Sequence, residues 1–130
     1  MRPIQQMFTF LRECQDKFGL QTGTQLWEAF NQVFDCMPLC AIVDEQIFTA
    51  HGGIPASVNR VEALYSIPVP LPNPNGINKA AWEMLWNDPV STADYKLFMG
   101  SGDPSPFPDY PAGCCPNLKR GTAFYYSGKQ

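Results

Sequence analysis

The sequence predicts an α/β fold, and three features of the residue pattern indicate it. Before residue 39, apolar residues recur at spacings of three and four, which is typical of amphipathic helices. Two short runs, 39–43 and 46–50, are rich in residues that favour strands. The segment 122–126 is again strand-like, with aromatic residues. Helices and strands therefore share one chain, and its 45% hydrophobic content is that of a globular protein.

Two helices are predicted in the first part of the chain. The first runs from Pro3, a residue suited to an opening turn, to Gly19, which suits a helix end. Thr24 is expected to cap the second helix, because its hydroxyl can accept a hydrogen bond from a free backbone N–H group. Pro38 should end that helix.

The two strand-like runs predict a buried β-hairpin that turns at Asp44 and Glu45 and leads directly into His51-Gly52-Gly53. Ser57 is expected to cap a short helix after it. Prolines alternate over 68–74, which predicts an extended surface segment. Asn78 should open a further helix that Pro89 stops. The stretch at about 91–117 is rich in proline and glycine and is predicted to be a surface loop.

The composition argues against several classes of partner. The net charge is −3 and there is no basic run, so nucleic acid and anionic membranes are not expected to bind. No apolar stretch approaches the roughly 18 residues of a membrane span. Five cysteines, an odd number, occur without an export signal, which favours reduced thiols in the cytoplasm or the nucleus. Their spacing does not match a zinc-ligand pair.

His51 is the first candidate for a site residue, and it is the only histidine. It lies where a strand is predicted to end and two glycines begin. Ligands commonly bind at such strand ends, and glycines allow a close approach of backbone and ligand. A histidine at a strand end can also be a hydrogen-bonded structural group, and the residues alone leave both interpretations open.

Four blocks, in order along the chain, resemble the phosphoprotein phosphatase family of calcineurin-like metallophosphoesterases. The longest resembles the family's block around a His-Gly-Gly sequence and reads FDCMPLCAIVDEQIFTAHGGIP, at 34–55. The others read FLRECQDKFG at 10–19, MLWNDP at 84–89 and KRGTAFYYS at 119–127. The proline-rich stretch and the 91–117 loop do not match the family pattern well.

The resemblance implies a fold, a cofactor and three site residues. The fold would be part of the metallophosphoesterase β-sandwich with flanking helices, in which the chain provides helices, one hairpin and an edge strand. The cofactor would be two divalent metal ions, manganese, iron or zinc, in the full-length enzyme. His51 matches a metal ligand, Arg120 matches an arginine that binds the substrate phosphate, and Asp88 matches a catalytic aspartate at the rim of the active site. Without the resemblance, Arg120 would be interpreted as a surface charge and Asp88 as a loop carboxylate.

The resemblance also implies that the chain, residues 1–130, is a partial serine/threonine phosphatase catalytic domain. The family's Gly-Asp-x-His-Gly, Gly-Asp-x-Val-Asp-Arg-Gly and Gly-Asn-His-Glu motifs, which supply most metal ligands, do not occur in it. At most one metal ligand, His51, is present, so we expect the isolated chain to be inactive.

The full-length protein would hydrolyse phosphoserine and phosphothreonine by two-metal activation of water. Phosphoprotein substrates and a regulatory subunit are the expected partners. The alternative is a non-catalytic pseudophosphatase or binding module that docks partners through an exposed Trp82 or Trp86 and the proline-rich stretch.

Overall fold

A computed structural model describes residues 1–91, 93–94 and 113–126, and it confirms a mixed α/β architecture. The chain divides into two compact units. The helical unit comprises Met1–Pro38 and Pro68–Ile77, and the sheet unit comprises Leu39–Ile67 and Asn78–Gln130. Among the described residues, no helix has the length and apolar content that crossing a membrane requires.

Three helices form the helical unit: α1 (Arg2–Met7), α2 (Phe10–Phe18) and α3 (Leu20–Phe34). The single helix predicted for the first stretch is wrong, because Thr9 adopts a left-handed conformation with φ 71° and separates α1 from α2. Gly19, with φ 81°, ends α2 as predicted. It also precedes α3 directly, so Thr24 is not a cap. Its hydroxyl instead donates to Leu20 O at 2.7 Å, within α3.

The contact between α2 and α3 depends on Gly23. A Cβ atom at this position would lie 2.4 Å from Cys14 O and 2.5 Å from Gln15 Cα. Both atoms belong to the backbone, so the two helices approach too closely for any side chain at Gly23. Cys14 and Trp27 are buried beside this contact. The helical unit therefore has a core, although it is small.

Polar side chains complete the helical unit. Asn31 is buried and exchanges two hydrogen bonds with the Gln5 amide, at 2.9 and 3.0 Å. Arg2 lies between two carboxylates. Its Nη2 donates to Glu28 Oε1 at 2.7 Å, and its Nη1 donates to Asp35 Oδ2 at 3.0 Å.

The predicted hairpin is confirmed in the sheet unit. Strands β1 (Cys40–Val43) and β2 (Ile47–Ala50) pair antiparallel. The turn residues Asp44 and Glu45 both have positive φ, 51° and 54°, which matches the twist that tight hairpins favour. The prediction that the hairpin is buried is wrong, because Ile42, Val43 and Ile47 are all exposed.

Two helical segments follow the hairpin. A 3-10 helix spans Val61–Ser66 and begins after Arg60, so the predicted cap at Ser57 is wrong. The Ser57 N–H instead donates to the buried Glu83 carboxylate at 2.9 Å. Helix α4 (Lys79–Trp86) begins where predicted, since Asn78 Oδ1 accepts from Ala81 N at 2.9 Å. It ends at Trp86, before Pro89.

A three-stranded sheet completes the sheet unit. It contains β3 (Asp88–Pro89), β4 (Cys114–Pro116) and β5 (Phe124–Tyr126) in the order β3-β5-β4. In this sheet β5, the strand predicted from the aromatic segment 122–126, lies in the middle, parallel to β3 and antiparallel to β4. Strand β4 also corrects the end of the predicted 91–117 loop, because Cys114 and Cys115 are buried in the sheet. Residues 92 and 95–112 of that loop lie outside the described residues.

Candidate phosphate-binding site

The two glycines after His51 fix where that residue lies. Gly52 N donates to Met84 O at 2.7 Å, near the end of α4. A Cβ atom on Gly52 would come within 2.7 Å of Asn87 O and 2.9 Å of Met84 O, so a side chain there would collide with backbone. The paired glycines therefore allow the chain after β2 to pack directly against the end of α4.

Gly53 makes the corresponding contact with the sheet. A Cβ atom on Gly53 would lie 2.4 Å from Tyr126 Cε1 and 2.9 Å from Asn87 Cβ. The segment that carries His51 thus lies beside both α4 and β5. This packing gives a structural reason for both glycines, in addition to the strand-end argument from the sequence.

His51 itself is exposed and follows β2 directly. Its ring forms no hydrogen bond with another described residue. Within 1–91, 93–94 and 113–126, no group of three or more histidine, cysteine, aspartate or glutamate side chains could hold a metal ion. Catalytic metal sites usually need three protein ligands. The described residues alone therefore do not fit the metal pair that the resemblance implies, and His51 is at most one ligand.

Asp88 and Arg120 form a two-pronged ion pair in the sheet unit. Arg120 Nε donates to Asp88 Oδ2, and Arg120 Nη2 donates to Asp88 Oδ1 at 2.9 Å. One edge of the guanidinium fork is thus matched to one carboxylate. The Arg120 side chain is 42% exposed and the Asp88 side chain 26%. Trp86 faces the guanidinium, with its ring centroid 5.5 Å from Arg120 Cζ.

The contact between Asp88 and Arg120 shifts the pKa of both residues. The Arg120 guanidinium, helped by an Asn117 hydrogen bond, lowers the pKa of Asp88 below its ordinary value, although partial burial opposes this shift. Asp88 in turn raises the pKa of Arg120. Burial, and then the charge of Asp88, raise the pKa of Tyr126. At neutral pH Asp88 is an anion and Arg120 a cation, so the ion pair is intact.

The tryptophans of α4 border this pair. The rings of Trp82 and Trp86 lie 5.5 Å apart at an angle of 39°, and Trp82 Nε1 donates to Thr122 Oγ1 at 3.0 Å. Both side chains are half-buried. The expected exposed docking surface at Trp82 or Trp86 is therefore wrong, since these rings pack against each other and against the strand region.

Two buried asparagines hold the site, and sequence analysis missed both. Asn87 is 0% exposed, donates from Nδ2 to Ile54 O at 2.9 Å and accepts at Oδ1 from Phe124 N at 3.2 Å. Asn117 is 2% exposed and contacts both Asp88 and Arg120. The only sequence signal for Asn87 was its place inside the MLWNDP block, and for Asn117 its place shortly before Arg120-Gly121.

The structure thus brings two of the three predicted site residues together. Asp88 and Arg120 are in direct contact, whereas no hydrogen bond or ion pair among the described residues joins the His51 side chain to either. His51 is nevertheless close to the pair in the fold, because the glycines that follow it pack against Asn87 and Tyr126. Asn87 precedes Asp88 in sequence, and Tyr126 lies in the strand that pairs with β3.

The sequence pattern of the calcineurin-like phosphoesterases matches residues 10–127 of the chain. This chain belongs to the calcineurin-like phosphoesterase family. The matched range includes His51, Asp88 and Arg120, so the family's pattern extends over the whole candidate site of this calcineurin-like chain. The resemblance inferred from the four sequence blocks is therefore confirmed.

A plant protein is similar to this calcineurin-like chain over much of its length. The serine/threonine-protein phosphatase BSL2 of Arabidopsis thaliana is 34% identical to it over 87 residues. The aligned part is 67% of this chain and 8% of the plant protein. The chain therefore spans a small part of the length of this relative.

Proposed function

We propose that this chain supplies the phosphate-binding part of a protein serine/threonine phosphatase. The whole protein would hydrolyse phosphoserine and phosphothreonine in phosphoprotein substrates. Membership in the calcineurin-like phosphoesterase family and the similarity to a plant serine/threonine-protein phosphatase support a phosphoesterase reaction. The specificity for serine and threonine and the involvement of a regulatory subunit are parts of the same proposal, as is a location in the cytoplasm or nucleus.

The observation that carries the proposal is the edge of the Arg120 guanidinium that no described residue occupies. Asp88 binds Nε and one proton of Nη2, and Trp86 covers one face of the guanidinium. Nη1 makes no hydrogen bond with a described residue, and the side chain is 42% exposed. Among the described residues, none hydrogen-bonds along the Nη1–Nη2 edge, and we assign this edge to a ligand. The two parallel N–H groups of the edge have the geometry that matches two phosphate oxygens.

Asp88 would have a positioning role and would not react with substrate. Because both of its oxygens bind Arg120, the carboxylate fixes the direction of the guanidinium before substrate arrives. Donors that are already oriented towards developing negative charge stabilise a transition state without reorganising. We therefore assign the predicted catalytic contribution of Asp88 to the orientation of Arg120.

His51 would be the metal ligand of this chain. It is exposed at the end of β2, and an imidazole nitrogen suits manganese, iron or zinc. One imidazole does not make a divalent-metal site, so the two-metal activation of water that the resemblance implies stays a prediction. Metal ions, where bound, would supply a nucleophilic water at neutral pH.

The test is kinetic and uses the active full-length protein. Arg120→Ala should lower kcat/KM at least about tenfold, because a hydrogen bond to a charged group contributes roughly 1.5–3 kcal/mol. Arg120→Lys should recover only part of the loss, since an ammonium group cannot make the two-pronged contact. Metal content should stay unchanged in both variants.

Arg2→Ala is the matched control, because Arg2 also binds carboxylates but has both edges of its fork occupied. It should leave kcat/KM unchanged. Wild-type kcat/KM in Arg120→Ala, or loss of metal instead of rate, would show that Arg120 does not bind the phosphate. A full-length protein that binds phosphopeptides but never hydrolyses them would be the pseudophosphatase or binding module of the alternative.

A further inference from the structure

Asn117 contacts both members of the Asp88–Arg120 pair. Its Nδ2 donates to Asp88 Oδ2 at 2.7 Å, and its Oδ1 accepts from the backbone N–H of Arg120 at 3.2 Å. The residue is 2% exposed and follows β4 directly. A buried amide thus uses its donor on the carboxylate and its acceptor on the arginine backbone.

We propose that Asn117 is a positioning residue, which orients the Arg120 guanidinium for phosphate by fixing the Asp88 carboxylate and the Arg120 backbone at the same time. This inference rests on the proposed function of Arg120. It adds a residue that lies outside the four sequence blocks.

The argument begins with the carboxylate. Asp88 Oδ2 accepts from both Asn117 Nδ2 and Arg120 Nε, and Oδ1 accepts from Arg120 Nη2. Without the Asn117 donor, Arg120 would be the only described side chain that donates to the Asp88 carboxylate. The guanidinium would keep Asp88 and the Trp86 ring as its described contacts. Both charged groups are partly exposed, so the pair could then rotate together towards solvent, and such exposed pairs are weakly held. The Asn117 bond ties the pair to a residue that is itself buried.

The choice of an amide follows from the two contacts. Asparagine provides a donor NH2 group and an acceptor oxygen on a short planar group. An ionised aspartate has the same shape but only acceptors, so it would repel Asp88 while still accepting from Arg120 N. The two functions of Asn117 can therefore be separated by a substitution that changes the shape very little.

The turn itself is held mainly by backbone. Asn117 O accepts from Gly121 N at 2.9 Å and from Arg120 N at 3.2 Å, and Asn117 N donates to Ala123 O at 3.2 Å. These bonds do not use the Asn117 side chain. Substitution of the side chain should therefore loosen the Asp88–Arg120 pair more than it disturbs the turn.

The experiment uses the 130-residue chain and the Nε–H resonance of Arg120 in ¹H–¹⁵N NMR spectra, assigned by its loss in Arg120→Lys. The rate of exchange of this proton with water reports how firmly Asp88 binds it. In Asn117→Ala and in Asn117→Asp the rate should rise at least about tenfold at pH 7, as expected for losing a hydrogen bond to a charged group. Asn31→Ala is the matched control, since Asn31 is an equally buried, fully bonded asparagine of the helical unit.

Two outcomes would overturn the inference. An unchanged exchange rate in Asn117→Asp would mean that the Nδ2 donor does not position the pair and that Asn117 only caps the turn. An equal rise of the Arg120 Nε–H exchange rate in Asn31→Ala would mean that this rate reports the overall stability of the chain and not the Asn117 contact. Should Asn117→Ala fail to fold, Asn117→Asp, which keeps the volume of the side chain, decides alone.

A phosphate titration separates this inference from the proposed function. Inorganic phosphate should shift the Arg120 Nε–H resonance, and Asn117→Asp should weaken the apparent affinity at least about threefold, because the guanidinium is no longer held in one direction. If phosphate leaves the resonance of the unaltered chain in place, Arg120 is not the phosphate contact and the proposed function fails. The exchange rates still decide whether Asn117 orients the pair.

Discussion

Arg2 of the helical unit and Arg120 of the sheet unit both hold carboxylates, but they differ in what remains available to a ligand. Arg2 donates to Glu28 from Nε and Nη2 and to Asp35 from Nη1, so both edges of its fork are occupied. Among the described residues, Arg120 donates to one carboxylate, from Nε and Nη2. Arg120 therefore keeps one edge of its fork without a described carboxylate and remains a candidate for phosphate, whereas the fork of Arg2 is occupied within a structural ion pair.

The largest effect is expected from the helical unit, where backbone contacts backbone. Gly23→Ala should lower the free energy of unfolding by roughly 3 kcal/mol, because the new Cβ would lie 2.4 Å from Cys14 O and the helices must separate. Urea unfolding of the 130-residue chain measures this. The control is Gln25→Ala at an exposed position of α3, which should change little. A loss below about 0.5 kcal/mol in Gly23→Ala, the range of neutral surface changes, would contradict the close contact.

The sheet unit should respond most to loss of the Asn87 amide. Asn87→Ala removes the hydrogen bonds that the buried Asn87 side chain makes with Ile54 O and Phe124 N, so we expect a destabilisation of about 2 kcal/mol. Chemical denaturation measures it, and Asn59→Ala, at an exposed position, is the control. If Asn87→Ala is as stable as the control, this buried amide does not stabilise the sheet unit. The contrast between a helical unit that depends on a close backbone contact and a sheet unit that depends on a buried amide would then be wrong.

Phosphate should stabilise the chain only through Arg120. At a phosphate concentration ten times its Kd, the stabilisation is about 1.4 kcal/mol for a single site. Arg2→Ala should keep this stabilisation and Arg120→Ala should lose it. Thermal unfolding with and without inorganic phosphate tests the difference, with sulfate at the same ionic strength as a second anion. Loss of the effect in Arg2→Ala would refute the distinction between the two arginines.

The smallest effect concerns acid. The folded-state pKa of Asp88 is lowered, chiefly by Arg120, so its contribution to stability is present above the unfolded value of about 4 and is lost as the pH falls through the lower folded value. The positive charge of Lys119 also lowers the pKa of Asp88, and Tyr126 also lies near this carboxylate. Asp88→Asn should therefore flatten the fall in stability below pH 4. A curve with the same slope as the unaltered chain would argue against the pair.

Local patterns in the sequence were enough to predict several elements. Two short apolar runs indicated the hairpin, and the side chain of Asn78 indicated the start of α4, because both signals lie within a few neighbouring residues. The break at Thr9 was not predictable in this way, since threonine has no special preference for the left-handed region and the residues around it keep a helical spacing. Strand β4 was missed because Cys114–Pro116 is short and forms only by pairing with β5.

The candidate site was predictable only in part. Strand-end glycines singled out His51, whereas Asp88 and Arg120 required the family resemblance, because a lone charged residue resembles any surface charge. The roles of Asn87 and Asn117 could not be predicted from the sequence. Three of their hydrogen bonds join residues 29 to 37 positions apart, and no periodic pattern marks a buried amide. Long-range polar contacts of this kind become visible only when the strands are paired.

The parallel pairing of β3 with β5 has a consequence for how the protein assembles. Asp88 is opposite Tyr125 and Pro89 is opposite Tyr126, while Arg120 lies a few residues before β5 on the same strand–turn segment. A slip of one residue would move that segment by about 3.3 Å and turn the β5 side chains to the opposite face. We expect Arg120 then to lose its contact with Asp88, so a chain with this register would carry the proposed phosphate-binding arginine without the carboxylate that orients it. We therefore expect the ion pair to form only when β3 and β5 pair in the observed register.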